Sequence, residues 1–148
     1  MKSASKSHHF LGVNDQGYAS IVNTTGNPDG HIVLRGGAKG VNFENQHVKS
    51  ISAELRANNL PSKVMIDCSH GNSNKDFRKQ SEVLKNIASQ IRNGEKNILG
   101  VMLESHLKEG NQKLVKKEDL QFGRSITDAC IDIETTKELI GILYDSLS

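Results

Sequence analysis

Four side chains of the sequence suit ion binding: Arg35, His70 and Glu104 follow apolar runs, and Asp128 lies in a later loop segment. One imidazole together with two carboxylates is a ligand set that binds divalent metals such as Mn, Fe or Zn. A guanidinium binds a phosphate or a carboxylate through two parallel hydrogen bonds. These residue types therefore predict a metal site beside an anion site, provided that the fold brings them together.

The apolar runs before these residues have the length of buried strands. Residues 31–34, 64–66 and 98–103 are too short for buried helices. Apolar residues at helical spacing predict helices over residues 43–58 and between Asn74, as a cap, and Asn93-Gly94. A last helix follows, in which one face is shared by Leu139, Ile140, Leu143 and Leu147.

This alternation of strands and helices predicts an α/β fold with parallel strands and right-handed crossovers. Parallel strands place their carboxyl ends at one edge of the sheet, where α/β proteins carry their chemistry. The segment 63–75, which reads KVMIDCSHGNSNK, is therefore the centre of the predicted site. Arg35 and Glu104 follow its neighbouring strands, and Asp128 lies in the loop segment after the third.

The amino-terminal region predicts a β-hairpin. Strand-like runs at residues 9–13 and 18–24 flank Asn14-Asp15-Gln16-Gly17, in which the glycine accepts the positive φ of a turn.

Composition limits the function classes. The 148 residues are 35% hydrophobic and 24% charged, which indicates one globular domain or part of one. A net charge of +2 with four Phe and two Tyr disfavours nucleic acid as a partner. Two cysteines without a secretory signal predict a cytoplasmic protein. No apolar run approaches the roughly 20 residues that span a membrane.

Each candidate also has a purely structural interpretation. His70 could be a hydrogen-bonding loop residue, Asp128 could cap the turn before the last helix, and Arg35 could be a solvated surface side chain. Cys68 and Cys130 are expected to be small buried side chains. Glu104 is the firmest candidate, because a carboxylate at the end of a buried strand requires a cation or several donors nearby.

Four ordered segments resemble the carboxyl-terminal half of the class I 3-deoxy-D-arabino-heptulosonate 7-phosphate (DAHP) synthases: HIVLRGG (31–37), VMIDCSHGNSNK (64–75), GVMLESHLKEGNQ (100–112) and GRSITDACI (123–131). The resemblance runs from about His8 to the end. It implies an aldol-type synthase on a (β/α)8 TIM barrel. Residues 1–148 would then be the carboxyl-terminal part of one barrel domain, comprising its last three βα units after an inserted β-hairpin.

The resemblance also implies roles for the candidate residues. His70, Glu104 and Asp128 match three of the four metal ligands of that family, for Mn, Fe, Zn or Co. Arg35 matches a residue that binds the phosphate of phosphoenolpyruvate, and Lys75 is a further candidate catalytic cation. The implied reaction condenses phosphoenolpyruvate with erythrose 4-phosphate, with His70 and Glu104 acting as metal ligands.

Two motifs of the family are absent from this sequence. The fourth ligand is a Cys in a GPCS motif, which neither Cys68 nor Cys130 matches, and the KPRT motif for erythrose 4-phosphate is also missing. A full barrel takes about 250 residues and eight strands. We therefore expect the chain to be a fragment that is inactive alone, with the missing amino-terminal half of the barrel as a partner and a homo-oligomer as the assembly.

In that family a hairpin before the sixth strand helps to bind a feedback-inhibiting aromatic amino acid. Residues 8–24 are similar to it, with Phe10, Gly12 and Val22 at the pocket positions. Gly12 is similar to the tyrosine-sensitive branch, because a smaller side chain leaves room for a phenolic oxygen. Alternatively, the hairpin only packs against the barrel or a neighbouring subunit.

Two other functions stay open at this point. One is a sibling synthase of the 3-deoxy-octulosonate 8-phosphate type, which uses another aldose phosphate. The other is a non-catalytic remnant that retains only assembly or aromatic amino acid binding.

Overall fold

A computed structural model describes residues 1–147 and shows an α/β fold with two separate sheets. Its principal elements, in chain order, are β1 (His8–Val13), β2 (Ala19–Thr24), β3 (Ile32–Leu34), α1 (Asn45–Ala57), β4 (Val64–Asp67), α2 (Gln80–Arg92), β5 (Ile98–Met102) and α3 (Ile133–Asp145). Short 3₁₀ turns occupy Phe77–Lys79 and Lys117–Asp119.

Strands β3, β4 and β5 form one parallel sheet in that order, which confirms the predicted alternation. Leu34, Ile66 and Val101 lie level with one another across the three strands. Helix α1 connects β3 to β4, and α2 connects β4 to β5. The carboxyl ends of the strands therefore meet at one edge, as parallel pairing requires.

The core lies on one side of this sheet. Leu34, Val64 and Ile66 are buried together with apolar residues of α1 and α2, namely Val48, Leu55, Val83, Leu84 and Ile87. Alternate strand residues point to the other side, where Val33 and Met102 are each 40% exposed. Within residues 1–147 the sheet is thus packed on one face and largely open on the other.

Two helix starts differ from the sequence expectation. Asn74 is not a cap: it has φ +53° in the loop, and Asp76 caps the 3₁₀ turn that precedes α2 by accepting a hydrogen bond from the Arg78 backbone N–H at 3.2 Å. Asp132, and not Asp128, caps α3 by accepting from Thr135 N–H at 2.8 Å. Asp128 therefore does not cap α3, although its position in the sequence suggested that role.

The predicted apolar face of the last helix is only half correct. Leu139 is buried, and Leu143 packs against the core. Ile140 is 56% exposed and Leu147 lies past the helix end, 70% exposed. The four apolar residues therefore do not share one buried face of the helix.

Strands β1 and β2 form the predicted hairpin as an antiparallel sheet of their own. Phe10 pairs with Val22, and Gly12 with Ser20. The Asn14 side chain accepts hydrogen bonds from two backbone N–H groups of the turn, and Gly17 has φ +84°. Among the helices of residues 1–147, none is long and apolar enough to cross a membrane.

Candidate metal and anion site

Three of the four predicted ion-binding residues converge at the carboxyl edge of the parallel sheet. His70 Nε2 lies 3.6 Å from Glu104 Oε1 and 3.7 Å from Asp128 Oδ2. One donor atom from each residue lies within 4.8 Å of the other two. Metal–ligand bonds of about 2.0–2.2 Å to imidazole and carboxylate allow one cation to contact all three. The geometry therefore fits a divalent metal ion.

The orientation of His70 is fixed by a buried carboxylate. Asp67, 1% exposed at the end of β4, accepts a hydrogen bond from His70 Nδ1 at 2.8 Å and another from Ser69 N–H at 2.8 Å. The proton on Nδ1 leaves Nε2 as the atom available to a metal, an arrangement common among metal-binding histidines. Asp67 lies within the segment 63–75 that the sequence marks as the centre of the site, but its residue type and position alone did not predict this role.

Asp128 reaches the site because its loop is fastened to the end of β5. Ile131 N–H donates to Glu104 O at 3.0 Å, and His106 N–H donates to Ile131 O at 3.0 Å. A further isolated bridge joins Gly110 to Cys130. Periodicity could not predict these contacts, since they are single backbone pairs between segments without strand patterning.

Arg35 and Lys75 line a cleft of about 520 Å³ beside His70. The Arg35 guanidinium lies 3.9 Å from the Asp67 carboxylate, and its side chain is 62% exposed. Lys75 has φ +62°, and its backbone N–H donates to His70 O at 2.8 Å. Both cations are open to solvent at the cleft, where an anionic ligand would find two donors.

The two loops that carry Arg35 and His70 pack backbone against backbone. A Cβ atom at Gly71 would lie 2.5 Å from the Gly36 carbonyl carbon. The buried Asn72 amide donates to Leu34 O at 3.0 Å and to Asp67 O at 2.8 Å, and its oxygen accepts from Asn42 N–H at 2.8 Å. No pattern in the sequence predicts this role of Asn72 in joining the two loops.

The two cysteines are free and buried, which confirms the structural interpretation. Burial, with a smaller contribution from the Asp67 charge, raises the pKa of Cys68 to about 12. Burial also raises the pKa of Cys130, and the negative charges of Glu104 and Asp128 act in the same direction. Both thiols therefore stay protonated near neutral pH, the form that binds metals poorly.

The candidate effector residues lie away from this cluster, on the hairpin. Phe10, Gly12 and Val22 share one face of the hairpin, since residues two apart on a strand point the same way. A Cβ atom at Gly12 would lie 2.8 Å from Val22 Cγ2 and 3.6 Å from Phe10 Cε2. Val22 Cγ2 thus occupies the space that a larger side chain at position 12 would need.

Comparison with known proteins identifies relatives of the whole chain. The Phe-sensitive phospho-2-dehydro-3-deoxyheptonate aldolase of Escherichia coli (strain K12) is 50% identical over 147 residues, which cover 99% of this chain and 42% of the relative. The tyrosine-inhibited enzyme of Schizosaccharomyces pombe is 47% identical over 144 residues, covering 95% and 39%. The chain therefore spans about two fifths of the length of these relatives.

The same similarity holds in three dimensions. The solved structure of phospho-2-dehydro-3-deoxyheptonate aldolase from Francisella tularensis SCHU S4 matches with a TM-score of 0.92 and 46% identity, over 99% of this chain and 42% of that one. The model of the DAHP synthetase I family matches residues 1–140, a range that contains Arg35, His70, Glu104 and Asp128. The resemblance inferred from four short segments thus extends over nearly the full chain, which belongs to the DAHP synthetase I family.

Proposed function

We propose that this chain supplies part of the active site of a metal-dependent synthase that condenses phosphoenolpyruvate with erythrose 4-phosphate to DAHP and phosphate. This reaction is the first step of the shikimate pathway of aromatic amino acid biosynthesis. The observation that carries the proposal is the convergence of His70, Glu104 and Asp128 to within 4.8 Å beside the cleft lined by Arg35. The names of the family and of its relatives support the same reaction.

In this proposal His70, Glu104 and Asp128 hold a divalent metal ion, which is Mn, Fe, Zn or Co. When bound, the metal would supply Lewis-acid polarisation of the aldehyde oxygen. Asp67 keeps His70 Nε2 directed at the two carboxylates. Asp67, Glu104 and Asp128 bring three carboxylates to this edge, and Arg35 pairs with Asp67. A bound metal cation would therefore also relieve the repulsion among the carboxylates.

Arg35 and Lys75 bind the anionic groups of phosphoenolpyruvate in this proposal. Both are cationic and exposed at the cleft beside His70. A planar guanidinium can hold a phosphate through two hydrogen bonds, whereas an ammonium acts as a point charge. Together they would orient the substrate next to the metal ligands and balance charge while the new bond forms.

We also propose that the parallel sheet is the last part of a (β/α)8 barrel, with residues 8–24 as an inserted regulatory hairpin. The face that bears Val33 and Met102 would be the barrel interior, which agrees with its exposure in this chain. The remaining strands, the Cys ligand and the KPRT motif would come from an amino-terminal half. Catalysis in a cytoplasmic homo-oligomer would then require both halves.

The experiment assays DAHP formation from phosphoenolpyruvate and erythrose 4-phosphate with Mn²⁺. We expect turnover when the chain is mixed with the amino-terminal half of the E. coli relative, and none from the chain alone. Glu104→Ala should abolish turnover and weaken Mn²⁺ binding by about 100-fold or more, whereas Glu109→Ala, an exposed glutamate of the same loop, should change neither. Full activity of the Glu104→Ala mixture would refute the metal assignment.

Three further outcomes of this assay separate the related proposals. Turnover by the chain alone would refute the requirement for an amino-terminal half. Preference for arabinose 5-phosphate over erythrose 4-phosphate would indicate the octulosonate-type sibling reaction instead. Mn²⁺ binding with no turnover in any mixture would favour a non-catalytic remnant.

The proposed effector of the hairpin is an aromatic amino acid, with tyrosine preferred. Gly12 carries no side chain beside Phe10 and Val22, which would leave room for a phenolic oxygen. Relatives named Phe-sensitive and tyrosine-inhibited are similarly close, so the preference depends on Gly12 and not on relatedness.

Thermal unfolding of the assembled enzyme tests this preference. Tyrosine should raise the melting temperature more than phenylalanine does. Gly12→Ser should reverse that order because its side chain fills the space, whereas Leu11→Ala on the opposite face should keep it. A larger shift with phenylalanine in the unsubstituted enzyme would contradict the proposal.

A further inference from the structure

Gln80, the first residue of α2, places a fully buried amide against the backbone of Glu104. Its Nε2 donates to Glu104 O at 3.1 Å, and its Oε1 accepts from Glu104 N–H at 2.8 Å. The side chain is 0% exposed. One side-chain amide thus makes both hydrogen bonds that a residue of a neighbouring strand would offer.

Glu104 needs such a partner because the sheet ends just before it. The last backbone bond from the β4 side runs from Cys68 N–H to Met102 O at 2.9 Å, after which the chain turns into the loop that carries His70. Glu104 O also accepts from Ile131 N–H at 3.0 Å. Gln80 and Ile131 therefore hold the Glu104 peptide between the helix after the His70 loop and the segment that carries Asp128.

We infer that Gln80 is a positioning residue of the metal centre, which fixes the Glu104 backbone so that its carboxylate meets His70 and Asp128. The inference rests on the proposed metal site and adds a residue that touches no ligand atom itself. Without the two hydrogen bonds, the peptide of Glu104 keeps only the contact with the Asp128 segment. The carboxylate would then sample positions away from His70 Nε2, and metal affinity would fall.

The test compares Mn²⁺ affinity, measured by the paramagnetic resonance signal of free Mn²⁺, in two matched variants of the protein. Gln80→Met removes both hydrogen bonds and keeps the volume. Gln90→Met is the control, since Gln90 is a second buried amide of α2 that bonds to Phe43 O and Asn86 instead.

We expect Gln80→Met to weaken Mn²⁺ binding about 10- to 100-fold, as for other residues that support metal ligands. Gln90→Met should lower thermal stability and leave the affinity within about twofold of the unsubstituted protein, because an unpaired buried group costs stability wherever it lies.

A double-mutant cycle separates positioning from general stability. In a Glu104→Ala background, Gln80→Met should cause no further loss of Mn²⁺ affinity, because the carboxylate that it positions is already gone. If Gln80→Met fails to fold, Gln80→Asn replaces it, since its amide is one methylene too short to reach both backbone atoms.

Each outcome has a defined meaning. Unchanged affinity in Gln80→Met, an equal loss in Gln90→Met, or a further loss in the Glu104→Ala background would overturn the positioning role while leaving the metal site intact. Absence of Mn²⁺ binding by the unsubstituted protein would overturn the proposed function and this inference together.

Discussion

The loops after β3 and β4 and the amino-terminal hairpin are built in opposite ways. The loops pack at backbone contact through Gly36 and Gly71 and share the buried amide of Asn72. The hairpin is held by its own ladder, with Leu11 78% exposed and Ile21 72% exposed. Geometry at the candidate metal site is therefore determined by tertiary contacts, and geometry in the hairpin by local pairing. Substitutions should be costly in the first region and mild in the second.

The largest effect is expected from Gly71→Ala. The added Cβ would lie 2.5 Å from the Gly36 carbonyl carbon and 2.6 Å from Gly37 N, and both are backbone atoms that cannot rotate away. We expect a loss of about 3 kcal/mol in the free energy of unfolding, measured by urea denaturation. Gly37→Ala is the control, because its Cβ would meet nothing within 4 Å. Equal stability of the two variants would show that the loops are not tightly packed.

A smaller but still substantial effect is expected from Asn72→Ala. The change leaves Leu34 O, Asp67 O and Asn42 N–H without the partners that Asn72 provides. Buried groups that lose their partners should lower the free energy of unfolding by about 2 kcal/mol. Asn23→Ala in the hairpin, where the exposed side chain pairs with His9, should cost less than about 0.5 kcal/mol. Similar losses at the two asparagines would remove the contrast between the regions.

The same contrast explains which parts of the structure could be predicted from the sequence. The hairpin and the parallel strands were predictable, because a turn sequence and short apolar runs specify them locally. The sequence marked Asp128 as a candidate by its residue type and place in the chain, but it could not show that Asp128 reaches His70, since isolated backbone pairs hold its loop. Gln80 and Asn72 were missed as structural residues because polar side chains are mostly exposed, and a buried amide leaves no periodic signal.

The errors have equally local causes. Asn74 was expected to cap a helix, but the chain adopts positive φ there, and Asp76 caps the 3₁₀ turn that precedes α2. Ile140 follows Leu139 directly, and a helix turns about 100° per residue, so the two side chains point in different directions, and here it is Leu139 that faces the core. Helical spacing identified the element correctly but assigned two residues too many, Ile140 and Leu147, to its buried side.

Ile21→Ala tests whether substitutions in the hairpin have only small effects on stability. The side chain lies on the hairpin face opposite Phe10 and Val22 and loses little buried area on truncation. We expect the free energy of unfolding of the chain to change by less than about 0.5 kcal/mol. A loss above about 1.5 kcal/mol would show that this face is covered by another copy of the chain, and the change would then depend on protein concentration.

The smallest effect concerns acid sensitivity, which should arise in the sheet region. Burial acts to raise the pKa of Glu95, but hydrogen bonds from Asn97 and Asn45 outweigh it and hold the pKa below its ordinary value of 4.5. A carboxylate with a lowered folded pKa contributes stability that is fully present above 4.5 and is lost as pH falls through the folded value. Urea midpoints of the unsubstituted protein should therefore decline below pH 4.5, and Glu95→Gln should flatten that decline. Asn97→Ala removes a side-chain donor but keeps the backbone one, so its curve should lie between the two. A decline that stays equally steep in Glu95→Gln would assign the acid sensitivity to other carboxylates.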